Sequence, residues 1–150
     1  MVIRKAEEKD LEGLCILFDN YRKFYRKTGD IAGARSFLRD RIVKNESEIF
    51  IAKDNGQDII GFVQLYPLFS STRMKRLWLL NDLFVQPEYR GKGVSVALIN
   101  RCKDWCRQTD SCGMILETAK DNTIGNRLYT KTGFLPDLDH NFYEWDTEST

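Results

Sequence analysis

The chain has 150 residues, of which 42% are hydrophobic and 30% charged, and its formal net charge is +1. A chain of this length can bury one sizeable core, so we expect a single domain over residues 1–150. The balanced charge argues against a dedicated nucleic-acid binder, because phosphate neutralisation requires a basic excess. No apolar run approaches the roughly 20 residues of a membrane span, and the N-terminus lacks the apolar core of a signal peptide. We therefore expect a cytoplasmic protein without nucleic-acid or membrane partners.

The first half of the chain alternates between strand and helix patterns. Residues 2–4 are strand-like, and Asp10 is a plausible N-cap for a helix that the stretch TGD at residues 28–30 would end. A second helix is predicted over residues 31–45. The run EIFIAK at residues 48–53, the turn DNGQ and the run at residues 58–68 then predict a β-hairpin.

The second half begins with LWLLNDLFV at residues 77–85, which is too apolar on both faces for an exposed edge strand. A helix follows Gly91 and Gly93. Further strands are predicted over residues 114–118 and 141–146, with a short helix between them that ends near Lys131. Mixed strands and helices around a buried strand predict an α/β (α+β) domain, with both an antiparallel hairpin and a parallel crossover.

The cysteines predict no metal site. Cys15, Cys102, Cys106 and Cys112 form no CxxC pair, and the single histidine, His140, lies far along the chain. A zinc site would need further ligands. We expect free thiols that pack as small apolar side chains.

The most informative stretch is the turn after the central strand, RGKGVS at residues 90–95. A buried strand that runs into a glycine-bearing turn and then a helix directs unpaired backbone N–H groups, and the positive end of the helix dipole, at one point. A phosphate or pyrophosphate is the natural ligand there. Arg90 and Lys92 add positive charge. Neither the Walker pattern nor GxGxxG fits this spacing.

This turn resembles the coenzyme A turn of the GNAT superfamily of N-acetyltransferases, [RQ]xxGx[GA], except that Ser95 stands where glycine or alanine is usual. Residues 122–134 are similar to a second family pattern, NxxAxxLYxxxGF, with Gly125 in place of the alanine. The resemblance implies a mixed, mostly antiparallel sheet flanked by helices. It also implies acetyl-CoA as co-substrate. The cofactor-binding residues would be Phe84, Val85, Arg90, Gly91, Lys92, Gly93, Val94, Ser95, Asn122 and Tyr129.

The resemblance also implies roles in direct attack of an amine on the thioester. Tyr129 would protonate the departing thiolate, and backbone N–H groups near Phe84 and Val85 would stabilise the developing oxyanion. Asp82 would hold or deprotonate the substrate ammonium. The stretch LLNDLFV is most similar to the diamine acetyltransferases, but Asn81 replaces an acidic residue that those enzymes use as a base.

The sequence says less about which residues would bind the acceptor amine. Tyr21, Tyr25, Tyr66, Phe69 and Trp78 could form an aromatic wall for a cationic amine, although core or dimer packing explains them equally well. Glu117 is a further candidate for substrate contact. We expect a small-molecule amine as substrate. A protein lysine or N-terminus, or a non-catalytic acyl-CoA sensor, is the alternative, and a homodimer is possible.

Overall fold

The computed structural model describes residues 1–148 and divides into two compact units, Met1–Glu117 and a shorter unit that begins at Thr118. The first unit holds all the strands. Its elements are β1 (Val2–Lys5), α1 (Leu11–Phe24), α2 (Ile31–Val43), β2 (Glu48–Lys53), β3 (Ile59–Ser70), β4 (Lys75–Val85), α3 (Val94–Gln108) and β5 (Met114–Ile115). The second unit contains α4 (Thr123–Lys131).

The five strands form one sheet in the order β1-β2-β3-β4-β5. The first three pairings are antiparallel and the last, between β4 and β5, is parallel. This confirms the predicted mixed, mostly antiparallel sheet. The predicted hairpin turn is also confirmed, and the Asp58 amide donates to Asp54 Oδ1 across it over 2.9 Å.

Helices cover both faces of the sheet because β2 is apolar on both of its faces. Ile49 and Ile51 belong to the buried cluster that contains the apolar side chains of α1 and α2. The Phe50 side chain lies on the opposite face of the sheet and packs against Trp105 of α3, with ring centroids 6.0 Å apart. Cys15 of α1 and Cys102 of α3 are free thiols buried in these two layers.

The first helix ends earlier than predicted. Its last residue is Phe24, and the chain then takes a left-handed conformation at Arg26, with φ of 62°. The Lys27 amide donates to the Arg22 carbonyl over 3.0 Å, which is the hydrogen bond that closes a Schellman motif. Asp30 of the predicted stop instead caps α2, accepting a 2.8 Å bond from the Gly33 amide.

Two predicted strands differ from the structure. The strand predicted over residues 114–118 covers only Met114–Ile115, and the strand predicted over 141–146 is wrong, because this segment is irregular. Aromatic residues favour strands, but a strand also needs a neighbour to complete its backbone hydrogen bonds. Phe142, Tyr143 and Trp145 are all exposed. No helix within residues 1–148 is long and apolar enough to cross a membrane.

Candidate active site

A β-bulge in β4 shapes the first part of the site. Gln64 lies opposite Asp82, whereas its neighbour Leu65 lies opposite Leu80, so Asn81 is an extra residue in β4. Such bulges bend a strand and redirect its side chains. The Asn81 carbonyl accepts a 3.3 Å hydrogen bond from the Tyr21 hydroxyl. A side chain of helix α1 is therefore hydrogen-bonded to the backbone of the bulge.

Asp82 is buried, with 4% of its surface exposed, and it is held by neutral donors. Its Oδ2 accepts from Gln64 Nε2 over 2.7 Å, and its Oδ1 accepts from Asn81 Nδ2 over 3.1 Å. Burial raises the pKa of Asp82 above its ordinary value, and the hydrogen bonds from Gln64, Tyr21 and Asn81 only partly oppose this effect. The carboxylate is therefore suited to accept a proton from a bound group.

The hydrogen-bond network of Asp82 extends through Gln64 to a further residue, Ser47. Gln64 is fully buried, and its Oε1 accepts a 2.7 Å hydrogen bond from the Ser47 hydroxyl. This bond fixes which end of the Gln64 amide faces Asp82, because the oxygen is already used. Ser47, Gln64 and Asp82 thus form a continuous buried polar network.

A cavity of about 380 Å³ opens beside Asp82, within the first unit. Its wall is largely aromatic: the Tyr21 and Tyr25 rings are 5.0 Å apart, and Phe18 stacks on Phe37 at 5.8 Å. Among residues 1–148, Asp82 is its single acidic lining residue. We call this the acceptor cavity, and its lining residues are Phe18, Tyr21, Arg22, Tyr25, Lys27, Phe37, Tyr66, Asn81 and Asp82.

Two tyrosines of the cavity, Tyr25 and Tyr66, stay protonated at neutral pH. Burial, together with the nearby Asp82 charge, raises the pKa of Tyr66 to about 12. The same two causes raise the pKa of Tyr25. Both phenols can therefore donate a hydrogen bond to a ligand and present their ring faces to a cation.

The structure brings together four of the predicted substrate residues, namely Tyr21, Tyr25, Tyr66 and Asp82, but not the others. Trp78 is buried elsewhere, and its indole donates to Thr109 Oγ1 over 3.1 Å. Glu117 is exposed, and neither residue lines the acceptor cavity. Phe69 is also exposed, with the Arg76 guanidinium 4.9 Å from its ring.

Several cavity residues were missed by sequence reasoning. Phe18 and Phe37 have the helical spacing of ordinary core residues, and Arg22 and Lys27 resemble solvated charges near a helix end. Gln64 did carry a signal. It is a polar residue inside the apolar run IIGFVQLY, where a buried amide requires partners.

The glycine turn after β4 presents backbone donors. Gly91 and Gly93 have φ of 75° and 82°, a conformation that side-chain-bearing residues rarely adopt. The first α3 hydrogen bond runs from the Ala97 amide to the Gly93 carbonyl, and no side chain caps this end. The amides of residues 94–96 thus lack acceptors within the helix. A Cβ at Gly91 or Gly93 would meet nothing within 4 Å, so open space lies beside both of these residues.

The Arg90 side chain connects this turn to the end of β4. Its Nε donates to the Val85 carbonyl over 2.9 Å, and its guanidinium lies 5.3 Å from the Phe84 ring and 5.6 Å from the Phe24 ring. Lys92 stays exposed, with its ammonium 5.3 Å from the Tyr89 ring. Arg90 therefore positions the turn, while Lys92 offers a charge to solvent.

The Val85 amide faces away from β3. The Gln86 amide donates to the Ile60 carbonyl over 2.9 Å, and in an antiparallel ladder successive amides point to opposite sides. By the same alternation the Phe84 amide points toward β3. On the far side of β4, the register of β5 ends at Leu79 and Ile115 within the described residues. β5 therefore does not pair with Val85.

Comparison with known proteins decides the family. Residues 14–134 match the family model of the acetyltransferase (GNAT) family. The chain belongs to the GNAT family. It is 43% identical over 137 residues to the uncharacterized N-acetyltransferase YhfO of Bacillus subtilis, covering 91% of each chain. A probable acetyltransferase of Haemophilus influenzae is 36% identical over 121 residues, 81% of this chain and 83% of that one.

A solved structure extends the similarity to the whole fold. The crystal structure of a probable acetyltransferase superposes with a TM-score of 0.94 at 34% identity, and the match covers all of both chains. The predicted GNAT-like α/β fold and the predicted N-acetyltransferase class of enzyme are thereby confirmed. GNAT enzymes generally use acetyl-CoA, and helix N-termini such as that of α3, where no side chain caps the amides, are a common type of phosphate-binding site.

The second unit contains the other GNAT pattern. The Asn122 side chain caps α4: its Oδ1 accepts from the Gly125 amide over 3.1 Å, and its Nδ2 donates to Thr118 Oγ1 over 2.9 Å. A Cβ at residue 125 would collide with this Asn122 side chain as it now lies, so an alanine there would require the side chain to shift. Tyr129 is half-buried on the same helix, and its ring lies 5.7 Å from that of Phe134.

A basic cavity of about 560 Å³ lies along α4 in the same unit. Three cationic side chains line it, and the other lining side chains carry hydroxyl or amide groups. The lining residues are Lys120, Thr123, Asn126, Arg127, Thr130 and Lys131. An anionic group is the ligand that this set of donors favours.

Proposed function

We propose that this GNAT enzyme transfers the acetyl group of acetyl-CoA directly to a primary amine of a small molecule that binds in the acceptor cavity. The observation that carries the proposal is the buried Asp82 carboxylate beside an aromatic cavity of about 380 Å³. Small-molecule sites typically occupy about 300–1,000 Å³ and combine apolar walls with few polar groups. A protein lysine would favour a longer, open groove.

In this proposal the amides of residues 94–96 bind the pyrophosphate of acetyl-CoA, with Lys92 adding charge. Gly91 and Gly93 allow the close approach of that group, because neither carries a side chain. Asn122 would contact the pantetheine arm, as the family resemblance implies. When bound, acetyl-CoA supplies the thioester carbon that the acceptor amine attacks.

Asp82 would receive the proton that the amine must lose. An ammonium ion is attracted to the carboxylate and to the faces of the surrounding tyrosine rings. The raised pKa of Asp82 makes its carboxylate a better proton acceptor than an exposed aspartate. The neutral amine nitrogen can then form the new bond to the acetyl carbon.

The Val85 amide would stabilise the negative charge that develops on the acetyl oxygen, since β3 does not use this donor. Tyr129 would protonate the thiolate that leaves as the carbon–sulfur bond breaks. A tyrosine with an ordinary pKa of about 10 is protonated at neutral pH and can serve as this acid. The ammonium therefore loses two protons in all. The first goes to Asp82 before the attack, and the second, released as the amide forms, replaces the proton that Tyr129 gives to the sulfur.

The small-amine resemblance supports this proposal, but a diamine is not its preferred substrate. Asn81, at the bulge, donates its amide to Asp82 rather than acting as a base. The cytoplasmic location and the homodimer remain predictions of the sequence.

The test is a thiol-release assay with purified protein, acetyl-CoA and an amine panel of amino acids, polyamines, aminoglycosides and lysine peptides. We expect turnover with one class of small amine. Turnover of lysine peptides alone would replace the proposal with protein acetylation. Binding of acetyl-CoA without turnover of any member would instead favour a sensor.

A further inference from the structure

The acceptor cavity carries more positive than negative charge. Arg22 and Lys27 line it together with Asp82, and the remaining lining side chains are neutral. Since Asp82 is the acidic residue of this lining, the wall offers at most one negative charge against two positive ones. The two cations come from the end of α1 and the loop after it, where the Schellman motif turns the chain back on the helix.

Several cationic side chains around the cavity form ion pairs with acidic residues. Asp19 is buried and accepts from the Asp30 amide over 2.7 Å, with the Lys23 ammonium at 3.3 Å and the Arg22 guanidinium at 3.9 Å. On α2, Arg41 pairs with Glu46 at 2.8 Å. Asp19 and Glu46 therefore already have cationic partners.

Lys27 is different from these cations. Its ammonium has no ion pair or side-chain hydrogen bond with any of residues 1–148, although its backbone amide is fixed by the Arg22 carbonyl. Arg22 donates to the Thr28 carbonyl over 3.0 Å through Nη1, which anchors the loop that carries Lys27. The loop thus holds a cation beside the cavity without supplying its counter-ion.

We propose that the acceptor is an amino acid or a similar aminocarboxylate, whose amine lies at Asp82 and whose carboxylate is bound by Lys27 with help from Arg22. This inference rests on the proposed function and specifies its substrate class. The aromatic side chains between the two charged ends would contact the body of the acceptor. A diamine or an aminoglycoside is disfavoured, because its second ammonium would meet Lys27 and Arg22.

The test compares amino acids with the amines that remain when their carboxylate is removed. The pairs are phenylalanine and phenethylamine, tyrosine and tyramine, lysine and cadaverine, and ornithine and putrescine, with kanamycin as a polycation. For each pair, kcat/KM is measured with wild type and with Lys27→Ala. A matched control is Lys9→Ala, which removes an exposed lysine that pairs only with Glu7. Ligand-induced shifts in Tm report binding independently of turnover.

We expect wild type to prefer an amino acid over its decarboxylated amine by about tenfold or more, the range expected for a lost hydrogen bond to a charged group. Lys27→Ala should remove most of this preference by lowering kcat/KM for the amino acid alone, and Lys9→Ala should preserve it.

Higher kcat/KM for the amines or kanamycin would overturn the inference and leave the proposed function intact. An equal loss for both members of a pair would overturn the role of Lys27. If no member is acetylated or raises Tm, the inference and the proposed small-molecule acceptor both fail.

Discussion

Gln64 and Asp82 lie opposite each other across β3 and β4, and the Gln64 amide donates to the Asp82 carboxylate over 2.7 Å. Because Ser47 occupies the other end of that amide, Gln64 cannot turn away from Asp82 without losing a second hydrogen bond. The pair therefore keeps a buried acidic group in one position at the acceptor cavity. Its chemistry gives the first two predictions.

Replacing Asp82 by asparagine should lower kcat/KM by about 10²- to 10⁴-fold, the usual contribution of a general base. Wild-type kcat/KM should also fall at acidic pH as Asp82 becomes protonated. Since burial raises the pKa of Asp82, this loss should begin at a higher pH than for an exposed aspartate. The measurement is the pH profile of kcat/KM. The exposed Asp58→Asn variant is the control, and a wild-type profile for Asp82→Asn would contradict the proposed base.

The same Asp82→Asn variant should be more stable than wild type at neutral pH. A raised folded-state pKa means that the folded protein binds the proton more tightly than the unfolded chain, so its stability falls as pH rises from the ordinary pKa of about 4 through the raised value. Asparagine has no such penalty, and the exposed Asn81 amide can turn to offer its oxygen. Thermal melts of both proteins between pH 4 and pH 8 test this. The difference should widen with pH, and a constant difference would refute it.

Replacing Gln64 by leucine should destabilise the fold by about 1–3 kcal/mol, because Asp82 and Ser47 each lose a buried partner. For a chain of this length, that loss corresponds to a decrease in Tm of about 2–4 °C per kcal/mol. Urea unfolding measures it directly. Gln108→Leu, at an exposed position at the end of α3, should change stability by less than about 0.5 kcal/mol. Equal effects of the two substitutions would show that the network contributes little.

Replacing Gly93 by valine should weaken acetyl-CoA binding by about tenfold or more, because a β-branched residue strains a backbone with φ of 82° and the turn must rearrange. Titration calorimetry with acetyl-CoA gives the dissociation constant. Gly56→Ala is a suitable control, since a Cβ there makes only ordinary contact with Asp54. An unchanged dissociation constant for Gly93→Val would place the pyrophosphate elsewhere.

Replacing Tyr129 by phenylalanine should reduce kcat by about 10²-fold while the dissociation constant for acetyl-CoA changes little, because only the proton donor is removed. The ring and its packing against Phe134 are retained. Steady-state kinetics with the best acceptor tests this prediction. The exposed Tyr143→Phe variant should keep wild-type activity. Full activity of Tyr129→Phe across the pH range would rule out this tyrosine as the acid.

The amino-acid sequence determined the local features of this protein. The order of strands and helices, the hairpin turn at residues 54–57 and the glycine turn before α3 all follow from short-range patterns, because these depend on backbone conformations that neighbouring residues impose. The family also follows from contiguous motifs around the glycine turn and α4. The strand predicted over residues 141–146 shows the limit, since strand formation depends on a partner that local sequence does not specify.

The residues that form the acceptor cavity come together only in the folded chain. Helix α1, helix α2, the loop after α1 and strands β3 and β4 each contribute side chains to it, and no sequence spacing relates them. The bulge at Asn81 and the pairing of Gln64 with Asp82 depend on the register between two strands. The charge balance of Asp82 with Lys27 and Arg22 likewise arises only when the chain folds, because residues more than 50 positions apart must meet there.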